Sequence, residues 1–134
     1  MTNIVYGKPG PFNFNDCTDS LGQLCIKRLT KHEDKIIIID AITGETSSGA
    51  QIRDSAIRVA DLLWKKFNVS HEDRVGVCAE NQIEFASVIF GTFLAGSILA
   101  PINVTYTERK LNINCKINDN IYYKILIKCI YVLR

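Results

Sequence analysis

Closely paired cysteines are missing from this sequence. The five present, Cys17, Cys25, Cys78, Cys115 and Cys129, are odd in number and form no C-x-x-C pair. A zinc site needs thiolate or imidazole ligands in tight pairs, and His32 and His71 lie far from each other and from any such pair. A disulfide framework is equally unsupported, so the pattern predicts a reducing, intracellular setting. A basic excess is missing too. Sixteen basic against 14 acidic side chains leave a formal charge of +2, too little for a broad positive face, so no nucleic-acid partner is expected. No apolar run is long enough for a transmembrane segment. The longest, residues 86–100, is interrupted by Ser87, Thr92, Ser97 and two glycines. The first ten residues lack a basic stretch followed by a continuous apolar one, so no secretory signal is expected there.

What is present is the pattern of one α/β domain. The 134 residues, 47% of them apolar, suffice for a single core that buries roughly two thirds of the unfolded surface. Residues 7–14, rich in Pro and Gly, read as a surface lead-in. Leu21, Leu24, Cys25 and Leu29 recur at helical spacing, which predicts a helix over 20–31 capped by Asp19 or Thr18. The run Ile36–Ile39 between Lys35 and Asp40 predicts a strand, 41–44 a turn, and 45–48 a returning strand. Ile52, Ala56, Val59, Leu63 and Phe67 draw one apolar stripe along a helix over 51–67.

Residues 74–100 are the most organised. An apolar strand over 74–79 leads to a helix over 82–95, with Asn81 as its cap and Glu84 at the capping-box position. Ile83, Ala86, Ile89, Phe90, Phe93 and Leu94 make this helix apolar around much of its circumference, so it needs cover on several sides. Gly96 closes it. A second apolar strand, 97–100, is stopped by Pro101. Strand, helix, strand in about 30 residues is a βαβ unit with parallel pairing. Strands apolar on both faces predict helices on both sides, a three-layer arrangement. After Leu111 no Ala or Gly appears, and Ile, Asn, Lys and Tyr make up about two thirds of the remaining residues. The chain therefore divides into a patterned segment, 1–111, and a divergent low-complexity tail, 112–134.

Candidate chemistry is sparse. Residues 42–49, a loop of Gly, Ser and Thr, invite a phosphate-cradle reading. No Lys follows at the required spacing, and the reading favoured is a hairpin turn running into a helix cap. Asn81 and Glu84 lie at the carboxyl end of a strand, where α/β proteins bind ligands, yet capping explains both. His71 belongs to a solvated loop, and Cys78, on a buried strand, reads as a small core residue rather than a nucleophile.

Three pieces of the sequence in series carry a resemblance. They are Thr43-Gly-Glu45 with residues 51–63, Asp73–Asn81 with Glu84-Phe85, and Phe90–Gly96 followed by Ala100-Pro-Ile-Asn103 and Tyr106-Thr107. Together with Gly10-Pro-Phe12, this stretch resembles the adenylate-forming superfamily: acyl-CoA synthetases, 4-coumarate:CoA ligases and insect luciferases. The resemblance implies the N-terminal, incomplete portion of that family's large domain, a parallel βαβ core preceded by a hairpin. It also implies a parent reaction in which a carboxylate attacks the α-phosphate of ATP, with Mg²⁺ assisting, and coenzyme A then displaces AMP.

Departures from the family pattern are plain. Ser47-Ser48 stand where the family has Thr-Tyr or Thr-Phe, and Lys110-Leu111 where it has Glu-Leu. The family's phosphate loop, adenine-binding segment, ribose-binding aspartate and C-terminal lysine are absent from this sequence. No catalytic, cofactor-binding or metal-binding residue is therefore assigned, and no cofactor is expected for this chain. The reading is a truncated, inactive portion of a luciferase-like acyl-CoA synthetase. The alternative is a small non-catalytic module that pairs with a complete ligase. Association through exposed apolar surface is expected in either case. Between cytoplasm and peroxisome the sequence leaves the choice open.

Overall fold

The computed structural model describes residues 18–71, 73–79, 82–107, 109 and 110. Element order is α1 (Leu21–Lys31), β1 (Ile36–Ile39), β2 (Thr46–Ser48), α2 (Gly49–Lys65), β3 (Arg74–Cys78), α3 (Glu84–Leu94) and β4 (Ile98–Ile102). The α/β class, the hairpin and the βαβ unit all stand as expected. β1 and β2 pair antiparallel, with an irregularity between Ile36 and Ile38. β3 and β4 pair parallel, Arg74 opposite Ile98 through Cys78 opposite Ile102.

Local chemistry sets the element ends, and some lie elsewhere than the sequence suggested. α1 is capped by Ser20 instead of Asp19 or Thr18. The Ser20 hydroxyl accepts from the Gln23 amide at 3.2 Å, and the Gln23 side chain accepts from the Ser20 amide at 2.9 Å. Asp19 is drawn to Lys27 Nζ at 2.7 Å instead. α2 begins two residues early because Ser48 and Gln51 form the same reciprocal box. It ends at Lys65, before Phe67, where Asn68 takes a left-handed φ of 49°. α3 closes as expected at Gly96, φ 77°. The Gly96 amide donates to Phe93 O and the Ser97 amide to Thr92 O, a Schellman closure. Asn81, expected to cap α3, lies outside the described residues. Ile83, directly before α3, has a helical backbone and no side-chain cap bond.

β4 runs through Pro101 rather than stopping there. The Ile98 amide donates to Asp73 O at 3.0 Å, so alternation turns the nitrogen of Pro101 to the opposite edge, where a missing N–H costs no ladder bond.

The core lies on one face of β3. Val75 and Val77 are buried with Val59, Ala60 and Leu63 of α2, Val88 of α3, and Val69 and Ala95. Leu99 of β4 packs against this cluster. On the opposite face of the pair, Ile98 keeps 47% of its surface exposed. The surprise is the buried side of α3. Ser87, Val88, Gly91 and Thr92 are the inward residues, whereas Ile89, Phe90, Phe93 and Leu94 are only half buried. Close approach explains it. A Cβ on Gly91 would meet Val59 Cβ at 2.6 Å and Ala56 O at 2.7 Å, so α2 and α3 touch through backbone and small side chains. Thr92 is tolerated there because its hydroxyl donates to Val88 O at 2.8 Å. Trp64 fastens the pair at its other end, its indole Nε1 donating to Ala95 O at 3.1 Å.

Because part of that clash is with backbone, Gly91→Val is expected to destabilise the chain by about 2–3 kcal/mol. The small helix-propensity gain over glycine, roughly 0.3 kcal/mol, does not offset it. Urea unfolding followed by circular dichroism checks this, and a midpoint equal to the parent's would refute the close-packing account.

Candidate functional site

Two places could bind a ligand: the hydroxyl-rich loop 42–49 and the carboxyl ends of the parallel strands. The loop is built from the hairpin turn and the start of α2, and its amides are already engaged. Those of Ile42 and Thr43 both donate to Asp40 Oδ1 at 2.8 Å. The Gly44 amide donates to Asp40 O and the Glu45 amide to Thr43 Oγ1. Further on, Ser48 and Gln51 serve each other, the Gly49 amide donates to Lys35 O, and the Ala50 amide to Glu33 O. Ser47 is buried. A phosphate cradle needs amides pointing outward with no internal partner. Here they close a turn and cap a helix, as the sequence reading held.

At the carboxyl ends of β3 and β4 the described groups are Cys78, Asn103 and Tyr106. Cys78 is half buried. Asn103 folds its own loop: its Oδ1 accepts from the Thr105 amide and hydroxyl, both at 2.9 Å, and its carbonyl accepts from the Tyr106 amide. Lys110 Nζ lies 5.8 Å from the Tyr106 ring centroid. Glu84, in the first turn of α3, suits the positive end of that helix. Asn81, and with it the expected Asn81–Glu84 pair, lies outside the described residues.

Of the remaining nucleophile and base candidates, Cys25 is half buried in α1 and His71 is exposed in a loop. Burial pushes the Cys25 thiol above its ordinary pKa, which disfavours the reactive thiolate. His71 sits in the turn after Ser70, and Asp73 organises that loop by accepting from the Ser70 amide at 2.7 Å. Among the described residues no three His, Cys, Asp or Glu side chains are grouped to hold a metal. Among the same residues no helix is long and apolar enough to cross a membrane.

Known proteins supply what side-chain geometry does not. Residues 26–116 match the family described as AMP-binding enzyme. A probable 4-coumarate–CoA ligase 1 from Dictyostelium discoideum is 30% identical over 90 residues, 67% of this chain and 16% of that protein. Luciferin 4-monooxygenase of Photuris pensylvanica is 30% identical over 113 residues, 81% of this chain and 20% of the other. A red-emitting luciferase of Phrixothrix hirtus superposes with a TM-score of 0.65 at 31% identity, covering 73% of this chain and 24% of that one. The luciferase-like enzyme of the nonluminescent Zophobas morio mealworm gives a TM-score of 0.70 at 21% identity and supports the fold alone. The chain spans only about a sixth to a quarter of these relatives.

Asp40 gives the hairpin turn a pH signature. The amides of Thr43 and then Ile42 hold its carboxyl below the usual range. A depressed folded pKa stabilises above the unfolded value, near 3.9, and that stability is lost as pH falls through the folded value. Asp40→Asn keeps an acceptor oxygen and removes the titration. Its unfolding free energy is expected to fall less steeply than the parent's below about pH 4, as read by denaturant melts at a series of pH values.

Proposed function

The chain belongs to the AMP-binding enzyme family, and from that premise we propose that it is the N-terminal portion of a luciferase-like acyl-CoA synthetase, without activity of its own. The observation that carries the proposal is the occupied hydroxyl loop. The amides of residues 42–45 and 48–51 are committed to the turn and the α2 cap. That loop is therefore not open to a phosphate, which supports the reading. ATP, Mg²⁺ and coenzyme A belong, in this reading, to the complete ligase. What this chain contributes to such a ligase is the βαβ unit with α1 and α2 packed on its helix. The family match runs to residue 116, five residues into the Ile/Asn/Lys/Tyr-rich segment 112–134, which in this reading is a tail divergent from the family. The odd cysteine count without a C-x-x-C pair favours a location inside the cell, and the near-neutral charge favours no nucleic-acid partner.

Two measurements test this. The purified chain is expected to give no acid-dependent exchange of labelled pyrophosphate into ATP, with fatty or aromatic acids, above a protein-free control. Exchange above that control would refute inactivity. Sequencing the transcript past the codon for Asn112 tests the parentage. A message that continues into a Lys-Pro segment and a Ser/Thr/Gly phosphate loop is the expected result, and its absence would count against it.

A further inference from the structure

We infer that this chain self-associates through the outer edge of β1, two copies pairing antiparallel about a two-fold axis. Among the described residues β1 pairs with β2 alone. Its four isoleucines are poorly covered: Ile36 is 58%, Ile37 44% and Ile39 64% exposed, and Ile38 is half buried. The Asp40 amide donates to Glu45 O, so alternation turns the amide and carbonyl of Ile39 outward, away from β2. A short, apolar strand with an edge that no described residue pairs and no charge within it is a template for another strand.

The ends of the strand say what that other strand is. β1 is preceded by Lys35 and followed by Asp40. Antiparallel pairing of two copies brings the Lys35 end of each beside the Asp40 end of the other, so two opposite-charge contacts form by symmetry. Parallel pairing would stack like charges at both ends. Asp40 is ionised at neutral pH, as aspartates ordinarily are, and its carboxyl is held in place by the Thr43 and Ile42 amides. Asp34, one residue further out, falls beside the uncharged Ala41–Ile42 turn of the partner. Ile42 itself is 96% exposed and flanks the same edge. Pairing of this kind uses the same edge on both copies, so it closes at a dimer instead of growing.

Sedimentation velocity on the full chain, from about 1 to 200 µM, is expected to give a reversible monomer–dimer equilibrium. Ile39→Lys, a charge on the open edge, is expected to raise the dissociation constant at least about tenfold with the far-ultraviolet circular dichroism unchanged. Lys35→Glu leaves the strand apolar and turns both end contacts repulsive. It is expected to weaken the dimer about fivefold at low salt and less in 0.5 M salt, near the limit where a Debye length of a few ångströms hides exposed charges. This variant also decides the matter if Ile39→Lys fails to fold. A chain that stays monomeric at the highest concentration would overturn the inference. So would open-ended aggregation, a dimer indifferent to both substitutions, or one dispersed only by Ile98→Lys on the other sheet.

Discussion

The close contact of α2 with α3 is the constraint on which the rest of the structure depends. Parallel strands need a crossover helix lying tightly on the sheet, and a second helix must cover that one. Gly91 lets the two helices meet backbone to side chain, which brings Val59, Ala60 and Leu63 within reach of Val75 and Val77. The contact also orders α1. A Cβ on Gly22 would run into Phe93 O and the Leu94 backbone, and one on Gly49 into the carbonyls of Leu29 and His32. α1 is thereby held against α2 and α3, and those two helices cover one face of a two-stranded sheet.

Much of this was legible because local signals agreed with one another. The β-branched run 36–39, the stripe Ile52–Ala56–Val59–Leu63 and the glycine after α3 each name one element by a single physical rule. Capping was less legible. Ser20 and Ser48 each have a Gln three residues on, and that spacing was the available clue for both helix starts; acidic Asp19 looked the better cap but found Lys27. Pro101 misled because edge geometry, which decides whether a missing N–H matters, is invisible in one dimension. The buried side of α3 was misread for a similar reason. Hydrophobicity points to Phe90 and Phe93, while the distance between helices, a tertiary quantity, selects Ser87, Gly91 and Thr92.

Function was legible at the level of family and no further. The order of hairpin, helix, strand, helix and strand, with short motifs at fixed places in it, is what the relatives share. The chemistry of such enzymes requires groups that converge on a substrate. In this chain the polar groups converge on the backbone instead: Asp40 on a turn, Ser48 and Gln51 on a helix start, Asn103 on its own loop. Sequence reading reached the same position for the loop 42–49 because hydroxyl residues before a helix have a simpler use than phosphate binding. Residues 80 and 81, at the mouth of β3, lie outside the described set, so the pairing of Asn81 with Glu84 has no structural account.

The indole bond of Trp64 makes the molecule optically self-reporting. It is the sole tryptophan of the chain, and its ring lies at the junction of two helices with its N–H on the last turn of α3. Any separation of α2 from α3 must break that bond and strip the remaining cover from a ring that is already 46% exposed. Its emission therefore reports first on the docking of the helix pair, through the bond to Ala95 O. A change in colour of a single fluorophore would distinguish a loosened core from a frayed periphery without any label.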